Sequence, residues 1–161
     1  MDRENIETAI DASLERLQTD YIDLYQLHWP DRRMSMFGSD GIGYKHYEAE
    51  TVPILETLRV LSDLVTAGKI RYVGLSNETP WGLSEFIKYS EMHDLPRVVS
   101  VQNAYNFLNR TYEQGMSEFH HRSQVGLLAY SPLAQGYLTG KYIDGARPKG
   151  CLLYTSDAAD E

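Results

Sequence analysis

Ile6, Ile10, Leu14 and Leu17 recur at intervals of three or four, with charged residues between them. This spacing predicts a helix with one apolar face, and Asp2 stands where its carboxylate can cap the first turn. Thr19-Asp20 breaks the pattern. Tyr21 to His28 then reads as a strand, stopped by Pro30. Residues Asp31 to Glu50 carry three Gly, two Ser and scattered charge with neither period, and predict a long loop at a strand end. A second helix follows, capped by Thr51, buried through Leu55, Leu58, Leu61 and Leu64-Val65, and closed by Gly68.

The second half repeats the alternation. Ile70–Ser76 is a predicted strand, and Thr79-Pro80 opens a helix whose apolar face is Leu83, Phe86 and Ile87, ending about His93. Val98–Gln102 is a short strand, followed by a loop to Arg110 and a helix from Thr111 to His121. Gly126–Tyr130 is the fourth strand, ended by Ser131-Pro132. Strands separated by helices imply an α/β protein with a parallel sheet and right-handed crossovers. On pattern alone, an open doubly wound sheet and a partial (β/α)8 barrel both fit. No Gly-x-Gly-x-x-Gly run follows any of the strands.

Composition narrows the function classes. The formal net charge of −8 argues against nucleic acid or an anionic membrane surface as partner, while leaving room for a local phosphate site. Cys151 is the single cysteine, so an internal disulfide is impossible. With no apolar run of membrane-spanning length and no signal-like start, a cytoplasmic location is expected. Residues 151–161 are expected to be foreign: from Leu152 they match the translation of a transposase sequencing adapter, CTC TTA TAC ACA TCT GAC GCT GCC GAC GA. The native domain is accordingly placed at residues 1–150.

In a parallel α/β protein the chemistry gathers where the strands end. The polar residues there are His28, Ser76-Asn77, Gln102-Asn103 and Tyr130-Ser131. Paired carboxylates or a metal cluster, which a sugar- or phosphate-processing barrel would need, are not among them.

Four segments at these ends are Leu-Tyr-Gln-Leu-His28-Trp-Pro, Gly-Lys69-Ile-Arg-Tyr-Val-Gly-Leu-Ser76-Asn77, Gln102-Asn-Ala-Tyr-Asn and Ala-Tyr130-Ser-Pro-Leu-Ala-Gln-Gly-Tyr-Leu-Thr-Gly-Lys141. As an ordered set the chain resembles the aldo-keto reductase family from Asp2 to Gly150. The long loop and the Ser-Asn-Glu-Thr run are similar to the bacterial Tas-type members. The resemblance implies a TIM barrel of which this chain covers about strands 4–7, and so favours the barrel over the open sheet. It also implies reduction of a small-molecule aldehyde or ketone by NADPH.

Several roles are implied with it. His28 is the catalytic histidine that hydrogen-bonds the carbonyl oxygen; a donor so placed is worth roughly 3 kcal/mol. Trp29 either flanks the substrate or packs against the loop. Ser76, Asn77 and Gln102 address the nicotinamide carboxamide, and Tyr130 stacks on its ring. Ser131, Leu133, Gln135 and Lys141 hold the cofactor phosphates. The family's Asp, Tyr and Lys would precede Met1, and the 2′-phosphate contacts would follow Gly150, so the chain alone is expected to be inactive. The alternative is an NADPH-binding sensor or auxiliary subunit of the same superfamily. Neither the substrate nor the oligomeric state is legible.

Overall fold

The computed structural model describes residues 2–34, 45–48 and 50–146. The middle of the long loop expected at 31–50 and the adapter-like segment 151–161 lie outside the described residues.

Helix α1, Arg3–Leu17, begins as expected: the Asp2 side chain accepts the Asn5 N–H at 2.9 Å. Ile6 and Ile10 are buried and Leu14 packs against the core, but Leu17 is 63% exposed, because burial on this face stops one turn before the helix does. Strand β1, Ile22–Leu27, follows. Helix α2, Ile54–Thr66, starts at Pro53 with no side-chain cap, and Thr51 does not cap it. The Pro53 carbonyl instead receives the N–H groups of Glu56 and Thr57, at 3.0 and 3.1 Å. Leu55 is only half-buried, while Thr57 and Val60 join Leu58, Leu61 and Leu64 in the core. The helix ends on Gly68 as expected: the N–H groups of Gly68 and Lys69 return to the carbonyls of Val65 and Leu64, both at 3.0 Å.

Strand β2 is Ile70–Ser76 and helix α3 is Pro80–His93, with the Thr79 hydroxyl accepting the Gly82 N–H at 3.3 Å. Strand β3, Val98–Ala104, runs two residues beyond the expected end. The single helix expected over Thr111–His121 is two pieces, a 3-10 turn at Thr111–Glu113 and helix α4 at Met116–Ser123. Gly115, at φ 92°, breaks them apart in a conformation closed to helices. Strand β4 is Gly126–Tyr130, followed by short 3-10 segments at Ala134–Thr139 and Ile143–Gly145.

The four strands form one parallel sheet in the order β1-β2-β3-β4. Strand order follows chain order with no reversal, whereas a doubly wound sheet turns back at a switch point. The helices pack in the same sequence, α1 on α2, α2 on α3 and α3 on α4. This is an arc of a (β/α)8 barrel. Among the described residues no helix is long and apolar enough to cross a membrane.

Register decides which side chains share a face. Val73 pairs with Val98 and Gly74 with Ser100, so β3 carries an extra residue at Val99. On the two sides of this bulge Leu27, Val73, Leu75 and Val101 are buried in the core that the helices cover. The opposite face carries Leu24, Gln26, Gly74, Ser100 and Gln102. A Cβ on Gly74 would stand 2.8 Å from Gln26 Cγ, 3.0 Å from Ser100 Oγ and 3.2 Å from Leu24 Cδ1. The absence of a side chain there lets Gln26 and Gln102 meet, their amides hydrogen-bonding at 3.1 Å.

Candidate functional site

The carboxyl ends of the strands are tied to one another by side chains. Asn77, the residue after β2, is buried and left-handed at φ 53°, a conformation that asparagine tolerates better than most residues. This turns its amide across the sheet. Its Nδ2 donates to the His28 carbonyl at 3.0 Å, and its Oδ1 accepts from the Tyr130 hydroxyl at 2.9 Å. One amide thereby links the ends of β1, β2 and β4. The third neighbour is joined by the backbone: the Asn77 N–H and the Ser76 hydroxyl both donate to the Gln102 carbonyl, at 3.0 and 2.9 Å.

His28, Ser76, Asn77, Gln102 and Tyr130 therefore stand together at one end of the sheet. The His28 side chain is exposed, with its ring centroid 5.8 Å from that of Trp29. Burial pushes the Tyr130 phenol above its ordinary value of 10.0, with a backbone hydrogen bond at Ala104 opposing the shift. Tyr130 consequently keeps its proton at neutral pH and acts as the donor to Asn77. The ring is held at its far end by that bond and at its backbone by β3.

Trp29 stands beside His28 in this cluster. It lines a cavity of about 230 Å³ on the helix side, together with Arg32, Val52, Ile54, Trp81 and Tyr89. The segment after β4 carries Ser131, Leu133, Gln135 and Lys141 in and around the 3-10 segment Ala134–Thr139. Ser131 and Gln135 both take positive φ, 53° and 54°. The Ser131 carbonyl accepts from Asn106 Nδ2 and from the Ala134 N–H, both at 2.9 Å, and the Leu133 carbonyl accepts from Gly136 at 2.9 Å. The Lys141 ammonium lies over the Tyr142 ring at 5.2 Å.

Gln26 and Glu78 were not among the residues singled out from the sequence, and Asn103, named there as a polar residue at a strand end, has a further part. Gln26 holds the Gln102 amide; it lies two residues before His28, and the period-two rule would have placed it on the same face. Asn103 grips Glu78 in both directions, receiving the Glu78 N–H at 3.1 Å and donating to its carbonyl at 2.8 Å. Glu78 pairs with Arg32 of the loop after β1. No local pattern announces that last contact, which spans 46 positions.

The strand ends offer an aromatic ring and a primary amide to a planar group. A protonated, braced tyrosine presents a fixed aromatic ring, and Gln102 offers a primary amide on the same face. The Ser76 hydroxyl and both polar atoms of the Asn77 amide have partners within the protein, as does Gln102 Oε1, which accepts from Gln26. Among the described residues, no group of three His, Cys, Asp or Glu side chains could hold a metal ion.

Residues 1–151 match the model of the aldo/keto reductase family. The chain is 49% identical to Protein tas of Escherichia coli strain K12 over 150 residues, covering 93% of this chain and 43% of that protein. It is 43% identical to an aldo-keto reductase of Babesia bovis, covering 92% of this chain and 55% of that one. The crystal structure of the thermostable aldo-keto reductase Tm1743 with the inhibitor epalrestat superposes with a TM-score of 0.67 at 33% identity, covering 84% of this chain and 42% of that one. The chain thus spans about half the length of the curated relatives it matches.

Proposed function

The chain belongs to the aldo/keto reductase family, and on that premise we propose that its strand-end cluster forms the nicotinamide and carbonyl site of an NADPH-dependent reductase of aldehydes and ketones. The observation that carries this is the Asn77 brace, which gathers His28, Gln102 and Tyr130 at one end of adjacent strands. NADPH would supply a hydride to the carbonyl carbon. Tyr130 would hold the nicotinamide face, and Gln102, oriented by Gln26, would address its carboxamide. Asn77 and Ser76 would maintain the spacing of the strand ends. Ser131, Leu133, Gln135 and Lys141 would meet the phosphates, through backbone N–H groups and the lysine charge.

His28 is the group for the substrate oxygen. It is exposed at the strand end while its backbone is held by Asn77, which suits a donor that must meet developing negative charge without reorganising. The complementary proton donor and the residues that activate it belong, in this reading, to strands other than the four described, and we propose that this chain alone is inactive.

The test uses the full-length protein carrying this segment, with NADPH absorbance followed over an aromatic aldehyde. His28→Ala is expected to lower turnover by about a hundredfold and to leave NADPH affinity, read by fluorescence titration, within twofold. Equal losses in turnover and cofactor affinity would remove His28 from the substrate side.

A further inference from the structure

Two consecutive residues, Asn77 and Glu78, hold the two ends of one short segment, His28 to Arg32. Asn77 binds the first residue through its carbonyl. Glu78 binds the last through a two-toothed ion pair, Nη1 to Oε2 at 3.1 Å and Nη2 to Oε1. The Glu78 side chain is 2% exposed and that of Arg32 21%. A carboxylate so buried persists only if its charge is matched and its lone pairs are used. Both conditions are met: Oε1 also accepts the Thr79 N–H at 2.6 Å, at the start of α3.

The surroundings are shaped to this pair. A Cβ on Gly82 would collide with the Glu78 carboxylate and the Arg32 guanidinium, so the first turn of α3 admits them only because no side chain stands there. The guanidinium carbon lies 5.0 Å above the Trp81 ring, and Nη2 also donates to the Thr79 hydroxyl at 3.1 Å. Next to Arg32, Asp31 Oδ2 accepts the Val52 N–H at 2.9 Å and so joins the two described ends of the loop.

We propose that Arg32 and Glu78 are positioning residues, a latch that locks the segment bearing His28 and Trp29 to the adjacent strand ends bearing Asn77 and Gln102. The substrate-side histidine is thereby set at a fixed offset from the cofactor-side amides. Glu78 can serve as the fixed half because its backbone is gripped by Asn103, the neighbour of Gln102. Arg32 is the other half, on the loop after β1. Opening the pair leaves the His28 carbonyl bound but frees the residues after it, so the ring of His28 and the base of the loop lose their reference. An apolar pair could fill the same volume; the planar fork of an arginine on a carboxylate also prescribes one orientation. The functional half of this proposal rests on the reductase reading above.

The latch is tested first by amide hydrogen exchange on this chain, which needs no activity. In the double variant Arg32→Met/Glu78→Gln, which keeps the volume and leaves no unpaired buried charge, the Val52 amide should exchange at least about tenfold faster. The Asn77 and Glu78 amides, held by Gln102 and Asn103, should be unchanged. An unaltered Val52 rate, or equal acceleration at all three, overturns the latch. In the full-length protein the same variant should raise the aldehyde KM about tenfold with NADPH affinity within twofold, and Glu78→Gln alone should shift it less. A purely structural pair would move neither constant, or both together, and either result overturns the positioning role. Should the wild-type protein bind no NADPH, the reductase reading fails and the exchange result alone decides the latch.

Discussion

The two faces of the sheet are built for different work. On the helix side Val73, Leu75 and Val101 are sealed beneath Leu58, Leu61, Leu83 and Phe86. On the other side Gln26, Ser100 and Gln102 lie around a glycine, Leu128 is well exposed, and the half-buried Tyr130 ends the row. The first face is stabilised by burial, which is non-directional and indifferent to modest changes of shape. The second is organised by hydrogen bonds, which are directional and fail one at a time. Stability and recognition are therefore separable here by mutation.

The largest effect is expected on the helix side. Leu61→Ala removes a fully buried side chain and should cost about 2–5 kcal/mol of stability in urea titration, with NADPH affinity per folded molecule unchanged. A loss of affinity in the remaining folded protein would break the separation. Gly74→Val attacks the other face, driving a side chain into Gln26 and Ser100. About 1–3 kcal/mol of stability should be lost, but NADPH binding should fall further than stability does. A folded Gly74→Val protein with normal affinity would show that this face does not meet the cofactor.

Smaller changes sharpen the contrast. Tyr130→Phe deletes only the donor to Asn77 and should cost about 1 kcal/mol, appearing as roughly a fivefold weaker NADPH titration. Gln102→Ala should act on the same constant, with the aldehyde KM little changed. Opposite behaviour, with KM shifted and affinity intact, would exchange their roles with His28.

The smallest expected effect returns to the helices. Burial lowers the His120 imidazole from its ordinary 6.5, and its Nδ1 lies 2.6 Å from the Tyr112 hydroxyl. The folded state thus binds the proton less readily than the unfolded one. Its contribution is complete above the unfolded value and declines as pH falls below it towards the lowered folded value. Denaturation midpoints at pH 7.5 and pH 5 should therefore lie closer together in His120→Phe than in the wild type, and an unchanged gap would remove His120 as the cause.

Much of this was legible in the chain. The boundaries of β2, α3 and β4 follow from local rules: short apolar runs between turn signals, the Thr79-Pro80 start and the Ser131-Pro132 stop. The Gly68 helix end and the Asp2 cap are equally local. His28, Ser76, Asn77, Gln102 and Tyr130 were visible as polar residues at strand ends, and the structure brings all five to one place. What local rules missed was competition and distance. Thr51 is a good capping residue, but Pro53 enters the helix first and supplies the carbonyl that the early N–H groups use. Gly115, at φ 92°, divides a helix whose flanks both look helical.

By itself the sequence determined the alternation of elements, the apolar faces they bury and the short list of polar residues at strand ends, since period and turn chemistry act over a few residues. Only the tertiary structure decided the order of strands in the sheet, the commitment of the Asn77 amide to His28 and Tyr130, and the pairing of Arg32 with Glu78. Those contacts join positions 46 to 53 residues apart, and which partners meet across such a span depends on the register of neighbouring strands and the space left by Gly74 and Gly82, neither of which any short stretch of chain encodes.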